Sequence, residues 1–525
     1  MSHKRPAAVI AALLLALGLV ACAEPAASAP STRVETADGP VRGDDRGGYR
    51  TFEGIPFAAA PVGDLRWQPP QPVKPWKDVR KATEPESLCV QAPDDPVPGK
   101  QSEDCLYLNV TTPDTATPDK PKPVMVWLYG GGFYQGNAAE YDARRLATEG
   151  DVVVVTPNYR LGVFGYFDHP ELDDGGAYGL ADQQAALRWV RDNAAAFGGD
   201  ADNVTLFGES AGAMSVCAQL TAPDSAKLFH KAIMQSGNCL IEWPSFTEDS
   251  RGQSPFESAK DNRALGSETA AEANCDKKKD PIACLREQPA DELTDRMRDF
   301  TPGYGNSVLP RHPAIALRDG DFNQVPIIIG NTRDEARTSI TGAVESPLSK
   351  AAYTEALTED FGERAEAVAR EYPPGSDDNG LTYAKVNTDR TWAYSTHRTR
   401  QILAETVPTF AFEFADREAP YYPGMVETGY RYGAFHGSEV PYLFDIHGVD
   451  MELSRPQAKL GERMIAYWTR FAATGDPNGG NSPQWSHFES GSRHVQSLAP
   501  GKDGIAAADF ETDHHIEFWT EHLND

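Results

Sequence analysis

An α/β fold, with a large and mostly parallel central sheet flanked by helices, is predicted by three observations. Short β-branched runs alternate with helical patterns through the middle of the chain, the rhythm of a parallel sheet. One of these runs passes through a glycine-flanked serine straight into a helical sequence, from Asn203 to Met214. The 525 residues are 40% hydrophobic and 24% charged, which suits a folded chain with a sizeable core and excludes disordered, collagen-like and multi-span membrane classes. A formal net charge of −28 reads as a solubilising surface and argues against nucleic acid as a partner, because it repels a phosphate backbone.

The elements follow in chain order. His3, Lys4 and Arg5 precede an apolar stretch from Ala7 to Ala21, too short to span a bilayer comfortably, so residues 1–21 read as an export signal. Leu19-Val20-Ala21-Cys22 resembles a bacterial lipobox, with Cys22 lipidated and becoming the mature N-terminus. The alternative is plain cleavage in that small-residue run. Residues 22–32 read as a flexible tether and 33–525 as one domain, a product either lipid-anchored at the cell surface or secreted. Thr32 to Ala58 reads as hairpins laid against a sheet edge. Strands are expected at Pro123–Tyr129, Val152–Thr156, Val204–Phe207, Lys231–Gln235 and Val325–Ile329, with a crossover helix over Gly179–Phe197. The stretch from Trp243 to Gly320, rich in charge, Gly and Pro and poor in strong strands, reads as a helical insertion between two strands of the same sheet.

Export makes disulfides available to the six cysteines that follow Cys22. Cys89 with Cys105, and Cys275 with Cys284, would close small local rings, although spacing alone leaves other connectivities open. Cys217 and Cys239 are read as buried free thiols, with pairing as the alternative.

The sharpest chemical signal is Gly208-Glu209-Ser210-Ala211-Gly212 between strand and helix. A turn this tight leaves no room for flanking side chains and exposes Ser210 at a helix N-terminus, where the amide of Ala211 can donate to an oxyanion. The bland reading is a helix N-cap serine. Tyr129-Gly130-Gly131-Gly132-Phe133 follows an earlier strand and offers Gly131 and Gly132 as further amide donors. It lacks the Lys-Ser/Thr of a phosphate loop. Of the ten histidines after Ser210, His436 alone lies in a loop between Gly-Ala-Phe and Gly, a fitting place for a general base. Past the strand at Val325–Ile329, Asp334 and Glu335 both qualify as the acid that orients it.

These motifs, together with Phe52 to Phe57, Leu65-Arg66-Trp67, Ser102 to Asn109, Asn158 to Leu161 and Gly433 to Glu439, resemble the type-B carboxylesterases, the cholinesterase-like branch of the α/β-hydrolases, over nearly the whole mature chain. The resemblance implies that fold, with helical insertions around an active-site gorge. It implies a Ser210, Glu335, His436 triad, an oxyanion hole from Gly131, Gly132 and Ala211, and bridges Cys89–Cys105 and Cys275–Cys284. It selects Glu335 over Asp334, which is left as a loop-shaping charge. Glu209 is a candidate to polarise the site and Ser236 to support it. Phe133, Trp243 and Phe246 are weaker candidates for an acyl pocket.

The implied activity is hydrolysis of small-molecule carboxylic esters through an acyl-enzyme, with no metal or other cofactor. A non-catalytic binding module on the same fold, and a carbamate or amide hydrolase, are the alternatives. Cholinesterases hold a quaternary ammonium on a tryptophan in the first disulfide loop. Val90 to Asp104 contains no aromatic residue, which argues against choline esters. His514 and His515 read as a polar C-terminal patch.

Overall fold

The computed structural model describes residue 1 and residues 31–523 apart from 93–98, 244–253, 340–346, 377, 423–424, 426–429 and 450. Residues 2–21 of the expected export signal, Cys22 and Phe246 therefore lie outside the described residues. Thr32–Asp525 form one compact unit.

Its frame is a ten-stranded sheet: β1 Asp44–Asp45, β2 Tyr49–Pro56, β3 Tyr107–Pro113, β4 Lys122–Leu128, β5 Val153–Pro157, β6 Gly199–Glu209, β7 Lys231–Gln235, β8 Ile327–Thr332, β9 Thr409–Phe414 and β10 Gln496–Leu498. The spatial order is β10-β9-β8-β7-β6-β4-β5-β3-β2-β1. The run from β10 to β5 is parallel throughout, and the three strands beyond it pair antiparallel. Parallel strands covered on both faces carry nearly continuous apolar residues, as in Val124 to Leu128 and Ile327 to Ile329, all buried.

Each expected strand is present within a few residues. The crossover helix is α1, Tyr178–Asn193, continued by a 3₁₀ turn to Phe197. The N-terminal hairpins divide. Arg33–Glu35 and Pro40–Arg42 join Arg80–Lys81 in a separate three-stranded sheet, whereas β1 and β2 form the edge of the main one. Between β7 and β8 the insertion is helical, with α3 Ala259–Glu272 as its longest element.

Helix α2, Ala211–Thr221, follows β6 directly. The glycines of the turn are there for space: a Cβ on Gly212 would meet the Leu128 carbonyl oxygen at 1.9 Å.

Two expectations are corrected. Cys217 and Cys239 are bonded to each other, because α2 packs beside the end of β7 and brings their Cα atoms to 5.4 Å, within bridging range. His514 is not part of a surface patch. It is buried, with Nδ1 2.6 Å from Asp389 and Nε2 2.5 Å from Glu413, while His515 is half-buried against Glu371. The expected bridges Cys89–Cys105 and Cys275–Cys284 are formed. Three disulfides mark a chain that matures in an oxidising compartment. No described helix is long and apolar enough to cross a membrane.

Candidate active site

Three side chains far apart in sequence meet at the C-terminal ends of parallel strands. Ser210 stands between β6 and α2 with φ 55°, a left-handed conformation forced by the reversal from strand to helix. His436 Nε2 lies 2.8 Å from the Ser210 hydroxyl oxygen, and Nδ1 lies 2.6 Å from Glu335 Oε2. With the ring proton on Nδ1, the imidazole donates to Glu335 and accepts from Ser210.

The acid is itself held. Glu335 is buried in the turn after β8, where its Oε1 accepts from the amide of Thr332 at 2.8 Å. Neighbouring Asp334 fastens this turn to the loop that carries His436. Its carboxylate accepts from the amide of Ala434 and from Arg417, and pairs with Arg337. Gly433 must be glycine for this fit, with φ 70° and Asp334 Oδ2 2.4 Å from where a Cβ would stand.

Glu209 comes within 3.3 Å of His436 Nε2, so a protonated ring would sit between two carboxylates. Burial by itself would lower the proton affinity of His436. The carboxylates of Glu209 and Glu335 outweigh it and raise the group to about 9. Burial raises Glu209 and Glu439, the latter held by the Gln235 amide at 3.1 Å.

The Gly130–Phe133 turn bends through three successive left-handed residues, Gly131 (φ 101°), Gly132 (φ 61°) and Phe133 (φ 67°). Gly131 and Gly132 line the same cavity as Ser210, Ala211 and His436, a space of about 630 Å³. Phe133 and Trp243 line it too, Phe133 edge-on to Tyr166. Ser236 is not brought in. It follows β7 at φ 50°, buried, without a hydrogen-bond partner for its hydroxyl among the described residues and outside the described cavity lining.

Sequence reasoning missed Trp392 and Tyr422. The Trp392 ring lies 4.6 Å from that of His436 and 5.3 Å from Trp243, on a π-helical turn at Thr388–Tyr394. Such widened turns recur at functional sites, but no local sequence signal announces them. The Tyr422 hydroxyl donates to the Gly437 carbonyl at 2.9 Å, beside His436.

A mostly parallel sheet carrying a strained serine turn, with a buried acid and a histidine on the loops that follow neighbouring strands, defines an α/β-hydrolase. The comparisons narrow this further. The model of the carboxylesterase family matches residues 30–519. The chain is 36% identical to the para-nitrobenzyl esterase of Bacillus subtilis, over 85% of this chain and 90% of that one. It is 32% identical to the pyrethroid hydrolase Ces2e of Rattus norvegicus, over 93% and 89%. A solved structure of a thermophilic PNB esterase superposes with a TM-score of 0.77 at 31% identity, covering 93% of this chain and all of that one. The chain belongs to the carboxylesterase family and is a carboxylic ester hydrolase.

Proposed function

We propose that this is an exported serine carboxylesterase in which Ser210 is the nucleophile, His436 the general base and acid, and Glu335 the group that orients the imidazole. The observation that carries the reading is the unbroken contact chain from Ser210 to His436 to Glu335, 2.8 Å and 2.6 Å long. His436 takes the Ser210 proton as the oxygen attacks the ester carbonyl. The oxyanion is held by the amides of Gly131, Gly132 and Ala211. Protonated His436 then gives its proton to the leaving alcohol, and water repeats the sequence on the acyl-enzyme. Glu209 and Glu335 stabilise the imidazolium that both half-reactions create. Residues 1–21 would direct export, Cys22 would carry the lipid, and 33–525 would form the hydrolase domain.

The test is turnover of a p-nitrophenyl ester series, from acetate to laurate, by the mature chain and its Ser210→Ala variant. The variant is expected to lose about 10⁴-fold or more in kcat on every ester the parent hydrolyses. Equal turnover by both proteins would refute Ser210 as nucleophile, and the chain-length profile of the parent sizes the acyl pocket.

A further inference from the structure

The cavity at Ser210 holds a carboxylate that the proposed mechanism does not use. Glu140 lies in a short 3₁₀ turn, Ala138–Glu140, that follows the glycine loop, and it lines the cavity with Ser210 and His436. Its carboxylate has no hydrogen-bond or ion-pair partner among the described residues. Of the other carboxylates in the described lining, Glu209 lies 3.3 Å from His436 Nε2 and pairs with the ring once it is protonated, Asp299 pairs with Arg296 at 2.8 Å, and Glu257 has an interaction of its own. Arg298, the guanidinium among the described lining residues, stacks over the Tyr134 ring at 4.1 Å.

Two aromatic residues complete the corner. Glu140 and Glu209 both act electrostatically on the hydroxyls of Tyr141 and Tyr422, so the four side chains share one neighbourhood. A half-buried carboxylate without a counter-charge is costly to keep ionised, and burial raises its proton affinity. A cation arriving beside it removes that cost, and the tyrosine rings suit the apolar part of such a ligand.

We propose that Glu140 is a specificity-determining residue that seats the protonated amine of an ester substrate, accepting its N–H. The preferred class is esters of primary, secondary or tertiary amines, which can donate to a carboxylate. A quaternary ammonium cannot, and the first disulfide loop provides no ring to hold one. The inference rests on the hydrolase reading of the same cavity and names the substrates it favours.

The experiment compares shape-matched acetates. 2-(Dimethylamino)ethyl acetate is set against 3-methylbutyl acetate, and acetylcholine against 3,3-dimethylbutyl acetate, each at neutral pH. The parent is expected to favour the protonated amine over its carbon isostere in kcat/KM, mainly through KM. In Glu140→Gln that ratio should fall by about tenfold, and Glu140→Asp should restore part of it. Both esters are assayed on one preparation, so loss of folded protein cancels in the ratio. An unchanged ratio in Glu140→Gln overturns the proposal. An equal fall for the acetylcholine pair overturns the N–H contact as its basis. Turnover that survives Ser210→Ala would overturn the Ser210 reading instead, and the Glu140 ratio would still be read from that turnover.

Discussion

At the scale of single residues, the charge balance at His436 determines how the enzyme meets pH. In the proposed mechanism His436 must be neutral to accept the Ser210 proton, and burial, which opposes its charge, is outweighed by Glu209 and Glu335, which raise it to about 9. The expected kcat/KM therefore climbs with pH through the alkaline range as the ring deprotonates. Glu209→Gln removes one of the carboxylates that favour the imidazolium, so the midpoint of that climb should move to lower pH. Its rate at the plateau should fall, because the same carboxylate stabilises the imidazolium of the transition state. A pH–rate profile of parent and variant checks both parts. An unmoved midpoint would mean that Glu209, despite its 3.3 Å approach, does not act on His436 through charge.

At the scale of elements, α2 carries Ser210 at its start and Cys217 in its second turn, and the bridge to Cys239 ties it to the segment after β7. That segment is pinned a second time by Asn238, whose side chain bonds Ser395, Thr396 and Thr399 of the helix α4, Ser395–Ala404. Replacing Cys217 and Cys239 together by Ala should cost about 3 kcal/mol, given a separation of 22 residues. Denaturant unfolding of both proteins measures this, and a loss below about 0.5 kcal/mol would mean that packing alone holds the helix. Such long-range ties were the least legible part of the sequence. The serine turn was readable because strand, glycines and helix are contiguous, and the central strands because burial on both faces makes them apolar runs. Cys217 looked like a free core thiol because nothing near it in sequence says which strand end it will face. Trp392 and Glu140 gave no signal at all, since their place at the cavity depends on a π-helical turn and a 3₁₀ turn.

At the scale of the whole molecule, the parallel order β6-β7-β8-β9 brings chain positions 210, 335 and 436 to one edge of the sheet, and the C-terminal segment locks that edge from outside. His514 is the bolt. It bonds Asp389, on the π-helical turn that carries Trp392, and Glu413 in β9, residues 125 and 101 positions away, which is why its neighbourhood in sequence misrepresented it. Burial opposes a charge there, but the two carboxylates prevail and raise His514 to about 9. Both partners are lowered in turn, chiefly by His514 acting against burial. A group raised above its unfolded value of about 6.5 contributes stability that is complete below that pH and is lost as pH rises through the folded value. The contribution here is about 3 kcal/mol, absent above pH of about 9. Asp389 and Glu413, being lowered, lose theirs only as pH falls into the acid range. Thermal melts of the parent should therefore show Tm declining between neutral pH and about 9. His514→Gln should be about 3 kcal/mol less stable at neutral pH, with Asp389 left to Lys385 at 2.7 Å and Glu413 to Arg333 at 3.0 Å, and its Tm should be flatter over the same interval. Parallel Tm curves for the two proteins would show that the clasp holds by packing and not by charge.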